Sequence, residues 1–369
     1  MLNDYKMGNS GELENNMQEK QKILLIRMLK AGDVACIGVP ALRFFKQKFP
    51  DADVHFLSYA DGVEVIRLAE PETNVLSLPA GQWPNELLPA MEAFLGLAEQ
   101  IVGEAYDQIV NLDTAFMPCF LARFLKDAGE NLSGNLLNIS LGQLVEQFQQ
   151  QILKPEYVSH LSQYMDSTFF SMPRWQSNWW ESSYLPDNGY PEFYLHNCCS
   201  FSDIEMNWNI SISPDSVLQN ASKGKKVIAL CLKDADDGFA YPHAQDLQNE
   251  LEKLGYYVWS DLEQNLSISN LLAKLKTSDL LVCKAGDSQW YASSVGCPTM
   301  IITATAEPLT LMPDYATDPT LVCPIHAPSA LLAASGPSFS KKCLCDKAEV
   351  LAESIESILS QSTSASDEQ

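Results

Sequence analysis

Two short stretches carry residue types that could do chemistry. The first is Gly32-Asp33, behind the apolar run Ile23-Leu24-Leu25-Ile26. A turn of this kind at the carboxyl end of a strand lies where open α/β sheets bind ligands. A carboxylate there could take the proton of an attacking hydroxyl. Aspartate is also a favoured helix N-cap, and the residues by themselves leave both roles open. The second stretch is Gly286-Asp287-Ser288, ahead of a helix that starts near Gln289. Backbone N–H groups and a serine hydroxyl at a helix start suit a phosphate. Trp290 follows, an indole fit either to stack on a base or sugar or to fill an empty pocket. Lys233, just after the strand 227–232, could add positive charge there, and a solvent-facing lysine is the plain alternative.

Other chemistry is weakly supported. Cys323, Cys343, Cys345 and His326 do not form a zinc-binding spacing. The chain has no Walker loop, no Gly-x-Ser-x-Gly elbow and no His-Glu-x-x-His motif. Its ten cysteines are scattered, as in a reducing compartment.

These residues need elements to hold them. Strands are predicted at 23–27, 54–57, 75–78 and 106–113, with a helix that includes Arg43, Phe44 and Phe45 and ends at Phe49, and helices at 64–69 and about 86–103, between them. His55 alternates with apolar neighbours and reads as a half-exposed strand residue. The same alternation restarts at 227–232, 256–259, 279–283 and 299–302, and an amphipathic helix closes the chain at 348–359. Alternating strands and helices predict parallel sheets, hence two Rossmann-like, doubly wound domains facing across a cleft. The expected division is a tail at 1–20, a first domain at 21–215, a second at 216–345, a helix at 346–360 and a polar tail at 361–369. Between the halves, 140–220 is irregular, and the aromatic cluster Phe169, Phe170, Trp175, Trp179 and Trp180 suits a small core or a binding platform.

Length and charge bound the rest. At 369 residues the chain is long enough for two cores. A net charge of −23 disfavours nucleic acid as a broad partner. The polar start and the lack of a long apolar run predict a cytoplasmic protein, with at most peripheral membrane contact.

Ile26-Arg27 with Gly32-Asp33-Val34 and Pro40-Ala41-Leu42, then Lys46 to Ala52, resembles the opening of the family 9 glycosyltransferases, typified by bacterial lipopolysaccharide heptosyltransferases. Tyr106-Asp107 with Asp113, the 279–298 region and Lys342 to Cys345 resemble later parts of the same family. The resemblance implies the GT-B architecture and metal-independent, inverting transfer of a sugar from a nucleotide sugar such as ADP-heptose to a glycan or glycolipid, with no further cofactor. It makes Asp33 the general base. It places the donor at Gly32, Lys233, Gly286, Asp287, Ser288, Trp290 and Thr305, and the acceptor near Asp113, Arg123 and Arg174. The donor loop departs from the family pattern: Ala285 stands where the family has an acidic residue, and Trp290 where it has histidine. A non-catalytic relative that binds or assembles without using a donor is therefore the alternative.

Overall fold

The computed structural model describes residues 20–78, 87–176, 186, 188–232, 241–260, 266–284, 286–302 and 347–366. The first sheet is built on β1 (Lys22–Ile26), whose residues 23–26 are all buried. Its side chains alternate between two cores: Ile23 and Leu25 enter one, Leu24 and Ile26 the other. That is the pattern of a central parallel strand covered on both faces.

After β1 come a single helical turn α1 (Ala31–Asp33), a π-helical stretch (Val34–Gly38) and α2 (Val39–Lys48). Then follow β2 (Asp53–Tyr59), α3 (Asp61–Ala69), β3 (Val75–Leu78), α4 (Leu87–Gly103), β4 (Gln108–Asn111), α5 (Phe116–Asp127) and β5 (Leu132–Leu137). Helices α6 (Leu141–Gln149), α7 (Pro155–Ser159) and α8 (Leu161–Tyr164) lead to a short β6 (Met165–Ser167). The strand order is β3-β2-β1-β4-β5-β6, with only β6 antiparallel. Strands β5 and β6 were not expected from the sequence. β5 needs a glycine, because a Cβ on Gly134, at φ +102°, would lie 2.2 Å from the Asn111 carbonyl oxygen.

A 3₁₀ turn (Met172–Gln176), α9 (Gly189–Glu192) and a second π-helical stretch (Phe193–Cys198) fill part of the irregular region. The second sheet takes β7 (Val227–Cys231), β8 (Tyr257–Ser260), β9 (Leu280–Lys284) and β10 (Thr299–Ile302), all parallel, in the order β10-β9-β7-β8. Helix α10 (Ser216–Ser222) precedes it, with Asp215 as its N-cap. Helices α11 (Ala244–Lys253), α12 (Ile268–Thr277), α13 (Asp287–Val295) and α14 (Ala348–Ser366) complete the domain.

The expected pair of doubly wound domains is present, but one apolar core runs through both. It joins Ile23, Leu25 and Phe56 of the first sheet to Ala229, Leu281 and Ile301 of the second, by way of the 34–45 helices, Trp208, Trp290 and Tyr291. The connection between domains is held from both sides. Arg43 donates to the carbonyls of Asn207 and Asn209, at 3.0 and 2.9 Å, and pairs with Glu70 at 2.8 Å. From the second domain, the Trp208 indole donates to Ser293 Oγ at 2.8 Å and the Ile210 amide to the Ser294 carbonyl at 2.7 Å. Arg43 therefore clamps the interdomain segment. Glu64 of α3 also accepts the Ser269 amide at the start of α12, at 2.9 Å.

No helix among the described residues is long and apolar enough to cross a membrane.

Candidate active site at the end of β1

The site starts where β1 stops. Ile26 lies opposite Leu57 on one side and Asn111 on the other, so the chain just beyond β1 meets the chain just beyond β4. Asp113, two residues past β4, is buried. One of its oxygens accepts the amides of Met28 and Leu29 at 2.7 and 3.0 Å, and the other accepts that of Ala115 at 3.0 Å. The first two bonds fix the turn that presents Asp33, and the third closes Asp113's own turn. Asp113 thus holds backbone in place, a structural task that the sequence did not suggest beside the expected acceptor-binding role.

Asp33 is the third residue of α1, and the N-cap position belongs to Lys30. Its side chain turns back to Arg27, with Nη2 2.5 Å from Oδ2. The other oxygen accepts the Tyr190 hydroxyl. A carboxylate offers about four acceptor sites, so two donors leave capacity for a third. The Asp33 side chain is 25% exposed, against 6% for that of Arg27. Arg27 also donates Nη1 to the Leu112 carbonyl at 2.9 Å. Burial opposes its charge, but Asp33 and Asp113 outweigh that and hold its pKa above the ordinary arginine value. Burial, then the Asp33 charge, raises the Tyr190 pKa, so the phenol stays protonated and donates. Cys36, 3.6 Å from the Tyr190 oxygen, is pushed up by the same two causes.

The second domain comes directly onto this site. Gly32 is buried, and a Cβ placed on it would lie 2.6 Å from the Asp287 Cα. The Gly32 amide faces the Asp287 carboxylate. Burial and the Asp33 charge push the Asp287 pKa up to about 6, against the opposing effects of Lys30 and that amide. One helical turn on, Trp290 is buried, with its ring edge-on to Tyr190 at 5.1 Å and to Trp208 at 6.1 Å. Tyr190 and Tyr194 in turn pack on Trp175, at 6.1 and 4.8 Å. The aromatic segment is thus in part a core; Phe170 is exposed, and Trp179 and Trp180 lie outside the described residues. At this point along the cleft, the face of α13 is packed against 31–38.

Of the sequence-predicted residues, the structure brings together Gly32, Asp33, Gly286, Asp287, Ser288 and Trp290, at the ends of β1 and β9. Arg123 is elsewhere engaged, in an ion pair with Asp127 of its own helix at 2.5 Å. Arg174 is exposed on the 3₁₀ turn next to Trp175. Lys233, Ala285, Thr305, Cys323, His326, Cys343 and Cys345 lie outside the described residues. Among the described residues no cluster of His, Cys, Asp and Glu has a metal-binding arrangement. The seven cysteines there are all buried.

Sequence reasoning did not foresee the roles of Arg27 or Tyr190. Arg27 could have been found, as a charged residue directly after an all-apolar strand. Tyr190 had no local signal. His55 is likewise buried rather than half-exposed, with Nδ1 2.8 Å from the Tyr106 oxygen and Nε2 3.1 Å from Asn74 Nδ2.

No protein-family model matches the chain, and a search of curated proteins finds no match. Solved structures do match. A family 9 glycosyltransferase from Veillonella parvula aligns at 12% identity and a TM-score of 0.58, over 92% of this chain and 98% of that one. ADP-heptose lipopolysaccharide heptosyltransferase II of E. coli aligns at 14% and 0.57, over 93% and 100%. E. coli heptosyltransferase WaaC, solved with ADP, aligns at 11% and 0.53, over 92% and 100%. At these identities the likeness is one of fold, and the chain has the GT-B architecture of these enzymes.

Proposed function

We propose that the protein transfers a sugar from a nucleotide-sugar donor to a hydroxyl of a glycan or glycolipid acceptor, with Asp33 as general base. The observation that carries this reading is the Asp33 carboxylate at the carboxyl edge of the first sheet, partly exposed and oriented by Arg27 and Tyr190. In the proposed reaction the acceptor O–H proton passes to Asp33 as the oxygen bonds to the anomeric carbon. The bond from that carbon to the nucleoside diphosphate breaks on the opposite face, with inversion. Negative charge gathers on the departing diphosphate, and the amides at the start of α13, with the Ser288 hydroxyl, are the groups to receive it. No metal has a part in this scheme. An ADP-linked heptose is the first donor to try, given the solved structures that share the fold. Arg174 is the first residue to try on the acceptor side. The setting proposed is cytoplasmic, in assembly of a lipopolysaccharide-type glycan.

A second reading is favoured by one observation. Asp287 and Trp290 fill the approach to Asp33 from the donor side. In that reading the protein is a binding or assembly subunit that does not use a donor.

Calorimetric titration with a panel of nucleotide sugars, followed by a transfer assay on wild type and Asp33→Asn, separates the two. Donor binding with turnover reduced about 10²–10⁴-fold in Asp33→Asn supports the transferase. Equal turnover by both proteins removes Asp33 as base, and no binding across the panel favours the second reading.

A further inference from the structure

Helix α13 touches the Asp33 site at two points one turn apart. At its first residue, Asp287 packs so closely on Gly32 that a Cβ on the glycine would lie 2.6 Å from both the Cα and Oδ1 of Asp287. Three residues on, Trp290 lies edge-on to the Tyr190 ring, and Tyr190 is the residue whose hydroxyl holds Asp33. Positions three apart share a helix face. That face lies against the π-helical stretch 34–38 and buries Tyr291 as well.

We propose that α13 is an occluding element, held against the Asp33 site by the Asp287–Gly32 and Trp290–Tyr190 contacts, and that its withdrawal is the step that admits a ligand. Calling the covered site an active site rests on the sugar-transfer reading; the two contacts do not.

The two contacts differ in character. Trp290 contributes apolar burial and an aromatic edge contact, both insensitive to pH. Asp287 brings a carboxyl group into a partly buried position facing Asp33 and Lys30 from α1 and its approach, Asp61 from α3, Cys36 from the π-helical stretch and Tyr291 from its own helix. Of these only Lys30 is cationic, so the ionised form of Asp287 works against the closed arrangement and the neutral form suits it. Withdrawal is therefore easier at higher pH. An amide in place of the carboxyl would keep the shape that packs on Gly32 and would carry no charge.

Cys36 provides a native reporter, since it is buried in the stretch that α13 covers and its sulfur lies against the Tyr190 hydroxyl. The test measures the alkylation rate of Cys36 in the full-length protein by peptide mass spectrometry, in wild type, Asp287→Asn and Trp290→Ala. At pH 7.5 the expected result is slower labelling in Asp287→Asn and faster labelling in Trp290→Ala than in wild type. Taking wild type relative to Asp287→Asn cancels the intrinsic pH dependence of thiol chemistry, and that ratio is expected to rise about tenfold from pH 5 to pH 7.5. Should Trp290→Ala fail to fold, the ratio for Asp287→Asn still decides. A ratio near one at both pH values overturns the proposal. If the ratio rises while no nucleotide sugar is turned over, the occluding contact stands and the transferase reading falls. If sugar is transferred while the ratio stays flat, the reverse holds.

Discussion

Tyr190 donates its phenolic proton to Asp33 across 157 residues of sequence. The carboxylate is thus set by a local turn and then fixed by a segment that lies between the two sheets in the chain. Because the Tyr190 ring also meets Trp290, the setting of Asp33 is tied to contact with the second domain. Replacing Tyr190 with phenylalanine keeps the ring contacts and removes the hydroxyl. A hydrogen bond to a charged group contributes about 1.5–3 kcal/mol, so Tyr190→Phe is expected to lower unfolding free energy by roughly that amount in urea titration.

Arg27 is the more costly residue to lose. Its guanidinium is buried and joins Asp33 to the Leu112 carbonyl. Removing one partner of a buried charge pair strands the other, typically at about 3–5 kcal/mol. Arg27→Met is expected to show a loss of this size by chemical denaturation. Arg27→Lys should recover only part of it, because a single ammonium does not reproduce the planar fork of donors.

Asp113 gives a sharper separation of roles. If it anchors the 28–29 turn rather than binding acceptor, Asp113→Ala strands three amides inside the protein. An unsatisfied buried group costs about 1–3 kcal/mol, so the variant should melt well below wild type. Near wild-type melting with weakened acceptor binding would instead return Asp113 to the binding site.

Asp287 makes stability depend on pH in a definite direction. Its pKa rises from 3.8 to about 6 in the native fold, because burial and Asp33 disfavour its ionised form. Between those values the unfolded chain gives up the proton while the native one keeps it. The native state therefore loses stability as pH climbs through this window, and the loss is complete above it. Asp287→Asn removes the penalty, so it should stabilise the protein by at most about 3 kcal/mol at pH 7.5 and by about half of that at pH 5. Denaturation curves at the two pH values check both the sign and the ratio.

Gly32→Ala tests how closely the domains meet. The new Cβ would fall 2.6 Å from the Asp287 Cα, a backbone atom that cannot swing aside. The α13 contact must then shift, and the variant is expected to lose roughly 1–3 kcal/mol, as overpacking does. Its Trp290 fluorescence should also move to longer wavelength as the indole loses burial.

Much of the fold was legible in the chain because its signals are local. All-apolar runs such as Ile23–Ile26 and Val227–Leu232 specify doubly covered parallel strands, and the helices between them force same-direction crossovers. The candidate carboxylate was legible for the same reason, since Gly32-Asp33 directly follows such a strand. Less regular pieces were not. β5 and β6 were missed: β5 depends on a glycine passing over Asn111, and β6 on antiparallel pairing with β5. The three backbone amides that Asp113 holds were not legible either, since they come from segments about 85 residues away as well as from its own turn. What only the tertiary structure decided is the company Asp33 keeps: Arg27 folding back across the turn, Tyr190 arriving from far along the chain, and α13 of the other domain pressed onto Gly32. Those contacts join positions remote in sequence, and their strength comes from burial, a property of the assembled cores that no single stretch contains.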